Sequence, residues 1–163
     1  MKKFIITALF AAAFSSAFAG THKIPKGDAI ATVTVPDKWK TEAEDDSLDI
    51  VSDDEEVYIN IEALDYESVE GAVKEAMGYL QKNKVKVDPA TAKKQAGEAN
   101  GMKFENVDFD GTDEDGPCKI SITVLGVTPK KALVLLYWAS PEAEKKHEKE
   151  LSAIQASIKP VAK

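Results

Sequence analysis

Not one of the 21 basic residues in this 163-residue chain is arginine; every one is lysine. Arginine's planar fork is the usual grip on phosphate and on guanine edges. A chain without it, at a formal net charge of −7, is a poor nucleic-acid binder and is repelled by anionic lipid. Cysteine is limited to Cys118, which excludes an intrachain disulfide. Histidine is limited to His22 and His147, too few and too far apart to build a closed zinc site with that one thiol. Beyond the N-terminus no apolar run reaches the roughly 20 residues that a membrane-spanning helix requires, so no stable membrane insertion is expected. Gly-x-Ser-x-Gly, a phosphate-cradling glycine loop and a dinucleotide fingerprint are all missing, and no cofactor is assigned.

What is present begins with an address. Lys2 and Lys3 precede the apolar stretch Phe4–Ala13, and Ala17-Phe18-Ala19 supplies the small-x-small pattern of a signal-peptidase site. Cleavage is predicted after Ala19, making residues 1–19 a signal peptide and the protein periplasmic or secreted. Position 20 is glycine rather than cysteine, so the cut site carries no lipoprotein anchor. Loss of Lys2 and Lys3 takes the net charge from −7 to about −9. Residues 20–27 read as a flexible leader and residues 28–160 as one domain. A domain of that length buries enough surface to fold without disulfides.

The domain is organised around Lys131–Pro160. Ala132–Ala139 is an apolar run of strand length, which predicts a buried central strand. Ser140 and Pro141 suit the cap and first turn of a closing helix, whose inward stripe is His147, Leu151, Ile154 and Ile158. Upstream, Ala31, Val33 and Val35 alternate with Thr32 and Thr34, and Val57, Ile59, Ile61 and Ala63 alternate with Tyr58, Asn60 and Glu62. Both are the period-two signature of half-buried strands. Leu48–Val51 is a short strand, and Ser52-Asp53-Asp54-Glu55 the turn after it. Thr41–Ser47 reads as an acidic loop. Val69, Val73, Ala76 and Leu80 fall at helical spacing, and Gly71 and Gly78 in that helix suggest close approach to the sheet. Thr91–Glu98 is a polar edge strand, and Asn100-Gly101 a type I′ turn. In Met102–Phe109 the apolar phase slips at Glu105-Asn106, as a β-bulge would cause. Asp110–Pro117 reads as an acidic loop before the strand of Ile120, Ile122 and Val124.

The expected class is α+β: an antiparallel sheet of about six to seven strands flanked by helices. Three segments carry a resemblance. They are Thr32-Val33-Thr34-Val35-Pro36-Asp37-Lys38-Trp39, the hairpin from Lys119 to Tyr137, and the closing Ile154-Gln155-Ala156-Ser157-Ile158-Lys159-Pro160. With the element order they resemble the PsbP-like α/β/α sandwich over residues 28–160. That fold is shared by the photosystem II protein PsbP, the Ran-binding Mog protein and small exported bacterial proteins such as DcrB. The resemblance implies a non-catalytic role, docking on a larger complex or assisting an envelope process. It transfers no binding residues, because its motifs are core and turn signatures.

Candidate sites are few. Cys118 with His147 is the one nucleophile–base dyad that can be written, and His147 fits better as a residue covering the core's rim. Asp108, Asp110, Asp113 and Asp115 cluster carboxylates as calcium ligands would, but Asp113 stands where an EF-hand needs glycine and Lys119 where it needs glutamate. A solvated hairpin loop suits them better. Glu42–Asp46 and Asp53–Glu56 are further acidic loops; if all three share one end of the sheet they form a negative patch. Trp39, Tyr58, Tyr79, Tyr137 and Trp138 could line a pocket, although Tyr137 and Trp138 must point to opposite faces of one strand.

The resulting expectation is an exported, non-enzymatic accessory or adaptor that binds another envelope protein. Its expected contacts are Asp53, Asp54, Glu55, Asp113, Glu114 and Asp115. The alternative is a periplasmic module that holds a small ligand or lipid between sheet and helix.

Overall fold

The computed structural model describes residues 19–161, so the expected signal peptide lies outside the described residues except for Ala19. Five strands come first: β1 (Ala19–Ile24), β2 (Ala31–Pro36), β3 (Lys40–Ala43), β4 (Ser47–Val51) and β5 (Val57–Asp65). Helix α1 (Val69–Lys82) follows a 3-10 turn at Tyr66–Ser68. Four long strands come next, β6 (Lys86–Ala99), β7 (Met102–Thr112), β8 (Pro117–Gly126) and β9 (Lys131–Ala139). The chain closes with α2 (Pro141–Lys146), α3 (Glu148–Ser157) and the short β10 (Lys159–Pro160).

Seven strands form one antiparallel sheet in the order β3-β4-β5-β9-β8-β7-β6, which places β9 at its centre. Hairpin connections between β6, β7, β8 and β9 require that antiparallel arrangement. Each face of the sheet has its own core. Leu133, Leu135, Tyr137 and Ala139 of β9 join Ile59, Ile61, Ile154 and Ile158 on the α3 face. Val134, Leu136 and Trp138 join Ile120, Ile122, Cys118 and Leu80 on the α1 face. Burial of each large aliphatic side chain contributes about 1.5–3 kcal/mol, and Leu48, Ile50, Ile61, Leu80, Ile120 and Leu133 are all essentially inaccessible. The fold is thus α+β, with helices on both sides of an antiparallel sheet.

Several local expectations change. Gly20–Gly27, read as a leader, holds a strand instead: β1 pairs with β2 from Ala19↔Pro36 to Ile24↔Ala31. Only Ile24 of this segment enters the core, so the sequence pattern is weak; the backbone of β2 supplies the order. β2 itself lies in a separate three-stranded sheet with β1 and β10. Thr41–Ser47 is mostly strand rather than loop, since β3 pairs with β4 and leaves only a short turn between them. All four β3 residues are exposed, so no apolar alternation marks it.

The bulge expected at Glu105-Asn106 is absent. β7 pairs with β8 without interruption from Lys103↔Gly126 to Thr112↔Pro117. The irregularity sits instead in β6, between Asp88 and Lys93, where Pro89 has no donor for the ladder. The expected acidic loop 110–117 shrinks accordingly, because β7 continues to Thr112. Gly71 and Gly78 do not mark a close approach: a Cβ at either would meet nothing within 4 Å. The closing helix breaks at His147 into α2 and α3.

Candidate functional site

The α3 face of β6, β7 and β8 is only partly covered. α2, α3 and the small sheet close over the core around β4, β5 and β9, which leaves a groove of about 640 Å³ beside α3. Its floor is apolar, from Ile61, Met102, Phe104, Leu125 and Leu135, and α3 contributes Leu151, Ile154 and Gln155. The outer half is polar, with Lys93, Gln95, Asn106, Asp108, Ser121 and Thr123.

Strand period explains this division. Met102, Phe104, Asn106, Asp108 and Asp110 share the α3 face of β7, while Val107 and Phe109 take the other. Apolar residues occupy the α3 face where helix covers it and give way to polar ones where it is open. Asn106 sits at the centre. Its Oδ1 accepts from Ser121 Oγ at 2.6 Å and Thr123 Oγ1 at 2.7 Å, and its Nδ2 donates to Asp108 Oδ1 at 2.8 Å. Asp110 pairs with Lys119, which holds its carboxyl below the usual range. At the α2 end, Tyr137 OH lies 3.4 Å from Glu144 Oε1, and burial together with that carboxylate pushes the phenol up. At the other end, Asn100 Nδ2 donates to the carbonyls of Ala156 at 3.0 Å and Ile158 at 2.7 Å, tying the β6–β7 turn to the end of α3. Among the described residues, the second Asp108 oxygen, the lone pairs of Ser121 and Thr123, and the Gln95 amide remain unshared. These groups can hydrogen-bond a chain or ligand lying over an apolar floor.

The four aspartates weighed as calcium ligands do not converge. Asp108 faces the groove from β7, and Asp110, two residues on along that strand, is paired with Lys119 of β8. Asp113 and Asp115 lie in the β7–β8 turn, where Asp113 Oδ1 accepts from the N–H groups of Asp115 at 3.0 Å and Gly116 at 3.1 Å. Among the described residues, the one grouping of three His, Cys, Asp or Glu ligand atoms within 4.8 Å is Asp53, Asp54 and His147. Lysines already sit on it. Lys146 Nζ is 2.5 Å from Asp54 and Lys38 Nζ 3.8 Å from Asp53.

The acidic turns do not share one end of the sheet. Strand directions put the β4–β5 turn (Asp53, Asp54, Glu55) and the β7–β8 turn (Asp113, Glu114, Asp115) together, with the Glu44–Asp46 turn at the opposite end. Their charges are largely answered from within the chain. Glu55 pairs with Lys40 and Glu114 with Lys84. At the opposite end Glu44, Asp45, Asp46 and Glu62 line an open recess, and burial followed by Glu75 and Asp46 pushes the Glu62 carboxyl up.

Cys118 and His147 lie on opposite faces of the sheet and form no dyad. Cys118 is buried in the α1-face core, and burial, with a smaller push from Asp113, raises its thiol to about 11. His147 is buried on the α3 side, edge-on to Trp39 at 5.4 Å. Tyr137 and Trp138 point apart as expected. Trp138 packs on Tyr58 at 4.7 Å and Tyr79 at 6.1 Å on the α1 face.

The Asn106 network and the Asp54–His147 contact were not anticipated. A polar alternation in β7 and β8 was the only available signal for the first.

No family model matches the sequence, and no curated protein matches it. Solved structures do. Cyanobacterial PsbP from Synechocystis superposes with a TM-score of 0.60 over 91% of this chain and 96% of that one, at 6% identity. LpqN of Mycobacterium tuberculosis, involved in cell envelope biogenesis, gives 0.54 over 88% and 92% at 13% identity. The Ran-binding protein Mog1p of Saccharomyces cerevisiae gives 0.51 over 88% and 95% at 12% identity. The chain spans about half (49%) of a Bacteroides thetaiotaomicron structure that it matches at 0.57 and 12% identity. At these identities the likeness shows the fold alone, and that fold is PsbP-like.

Proposed function

We propose that this is an exported, non-enzymatic accessory protein of the cell envelope that binds another polypeptide, with the groove beside α3 as its contact surface. The observation that carries the reading is the uncovered strip of β6, β7 and β8, where an apolar floor meets the unshared groups of Asp108, Ser121, Thr123 and Gln95. Because the groove is open on the β6 side, it accepts a chain laid along it. Export is supported by Lys2, Lys3, the apolar Phe4–Ala13 and Ala17-Phe18-Ala19. Two structural neighbours point the same way, one named for Ran binding and one for envelope biogenesis. The acidic turns contribute less to this reading than the groove does, because Lys38, Lys40, Lys84 and Lys146 pair with them.

A photo-crosslinking residue placed at Gln95 or Thr123, and for comparison at Glu114, tests this in cells. One abundant envelope protein should be captured from the groove positions and not from Glu114. Capture from Glu114 alone would move the contact to the acidic turns. A groove of this volume also falls in the range of small-molecule sites, roughly 300–1,000 Å³, which favours a small ligand or lipid as the second reading. Its mark is absence of any crosslinked protein together with a mass above that of the mature polypeptide in native mass spectrometry.

A further inference from the structure

β6 is the outer strand of the large sheet, and Ala92–Asn100 is exposed throughout. An unpaired edge of this kind is a template for another strand. The hairpin after it fixes which backbone groups are free. Asn100 and Gly101 have φ of 52° and 78°, a type I′ turn in which the flanking Ala99 and Met102 bond each other. Odd-numbered residues from Lys93 to Ala99 therefore aim their N–H and C=O groups at β7. Lys94, Ala96 and Glu98 aim theirs away from the sheet.

We propose that two copies of the chain pair antiparallel through β6, about a twofold axis at Ala96. Three observations converge on that register. A strand that pairs with its own copy must set outward-facing residues opposite outward-facing residues, so the axis passes through a residue rather than between two. The stretch of β6 in regular register with β7 runs from Lys93 to Ala99, and its midpoint is Ala96. An axis there puts Lys94 opposite Glu98 of the second copy, twice over. An axis at Lys94 or Glu98 would instead set like charges face to face, which destabilises a strand pair. Among the described residues neither Lys94 nor Glu98 takes part in an ion pair within its own chain. The irregular Asp88–Ala92 segment, with Pro89, falls outside the paired stretch. Lys93 and Gln95 lie on the groove side of β6, so pairing brings the grooves of both copies side by side on one face of a continuous sheet.

Sedimentation equilibrium and amide exchange by NMR on the mature protein test this. The wild type should dimerise, and the Lys94, Ala96 and Glu98 amides should become protected as concentration rises, while those of Lys93, Gln95 and Gly97 are protected throughout. Lys94→Glu or Glu98→Lys alone replaces two attractive pairs by two repulsive ones and should weaken the dimer about tenfold or more. The Lys94→Glu, Glu98→Lys double variant should recover it. A chain that stays monomeric overturns the proposal. So does a dimer whose Lys94, Ala96 and Glu98 amides exchange as in the monomer, or one indifferent to the single charge reversals.

Discussion

His147 Nε2 lies 2.9 Å from Asp54 Oδ2, joining the break between α2 and α3 to the β4–β5 turn across 93 residues of sequence. The carboxylate can only accept, so Nε2–H donates. Asp54 also receives Ser52 Oγ–H at 2.5 Å and Lys146 Nζ at 2.5 Å, and Ser52 Oγ accepts from the Val57 N–H at 3.0 Å. Ser52 and His147 are both buried. Asp54→Ala strands those donors and should cost about 2–3 kcal/mol of stability. Urea denaturation measures it; a loss below about 0.5 kcal/mol, the range of ordinary surface substitutions, would mean that the contact does not hold the helices to the turn.

The same carboxyl should set part of the acid limit. Burial opposes its charge, but hydrogen bonds from Lys146, Ser52 and His147 outweigh that and hold it well below the usual carboxylate range. Its folded-state pKa is therefore depressed relative to the unfolded value near ~4. The stabilisation is complete above that value and is lost as pH falls toward the folded one. Asp54→Asn should start less stable at neutral pH and lose less between about pH 5 and pH 2. Parallel pH curves for the two proteins would assign the acid limit to other carboxylates.

Glycines in two settings should respond with opposite signs. A Cβ on Gly111 would sit 2.6 Å from Ile120 Cδ1 and 2.7 Å from the Lys86 carbonyl oxygen, and backbone cannot swing aside. Gly111→Ala should cost about 2 kcal/mol or more. Gly71→Ala and Gly78→Ala meet open space inside α1 and should each add about 0.5–1 kcal/mol. Thermal melts of the three variants decide it.

Elements that bury one face were readable in the sequence. The alternations of β2 and β5, the apolar run of β9, the Ser140 cap and the Asn100-Gly101 turn all stand where periodicity and turn chemistry put them. Elements ordered by pairing alone were not: β3 is wholly exposed, and only Ile24 of the segment 20–27 reaches the core. The apolar phase change at Glu105-Asn106 was visible and open to the wrong reading. A bulge and an opening in the helical cover leave the same mark on a strand, and only the uninterrupted β7–β8 register separates them. Asp54 with His147 left no local trace, because a contact 93 residues apart has no period.

Cys118 should behave as a small hydrophobe. The residue is 2% exposed and burial raises its thiol to about 11, so it is protonated at neutral pH, and the thiolate is the reactive form. Labelling by a thiol-reactive disulfide should be slow in the native protein and fast in denaturant. Fast native labelling would show that the α1-face core opens readily.

Asn100 links the groove to the stability of the fold. Its backbone needs a positive φ, and its side chain holds the last carbonyls of α3. Asn100→Gly keeps the backbone freedom and removes only the side chain, so it isolates the tie. The two hydrogen bonds together should be worth about 1–2 kcal/mol. Their loss should also release the end of α3 from the β6–β7 turn, raising amide exchange at Ser157 and Ile158 more than in β9. If stability falls while exchange rises evenly through the domain, Asn100 serves the fold as a whole. If the rise is confined to the end of α3, this side chain sets the width of the groove at that end, and capture from Gln95 should weaken with it.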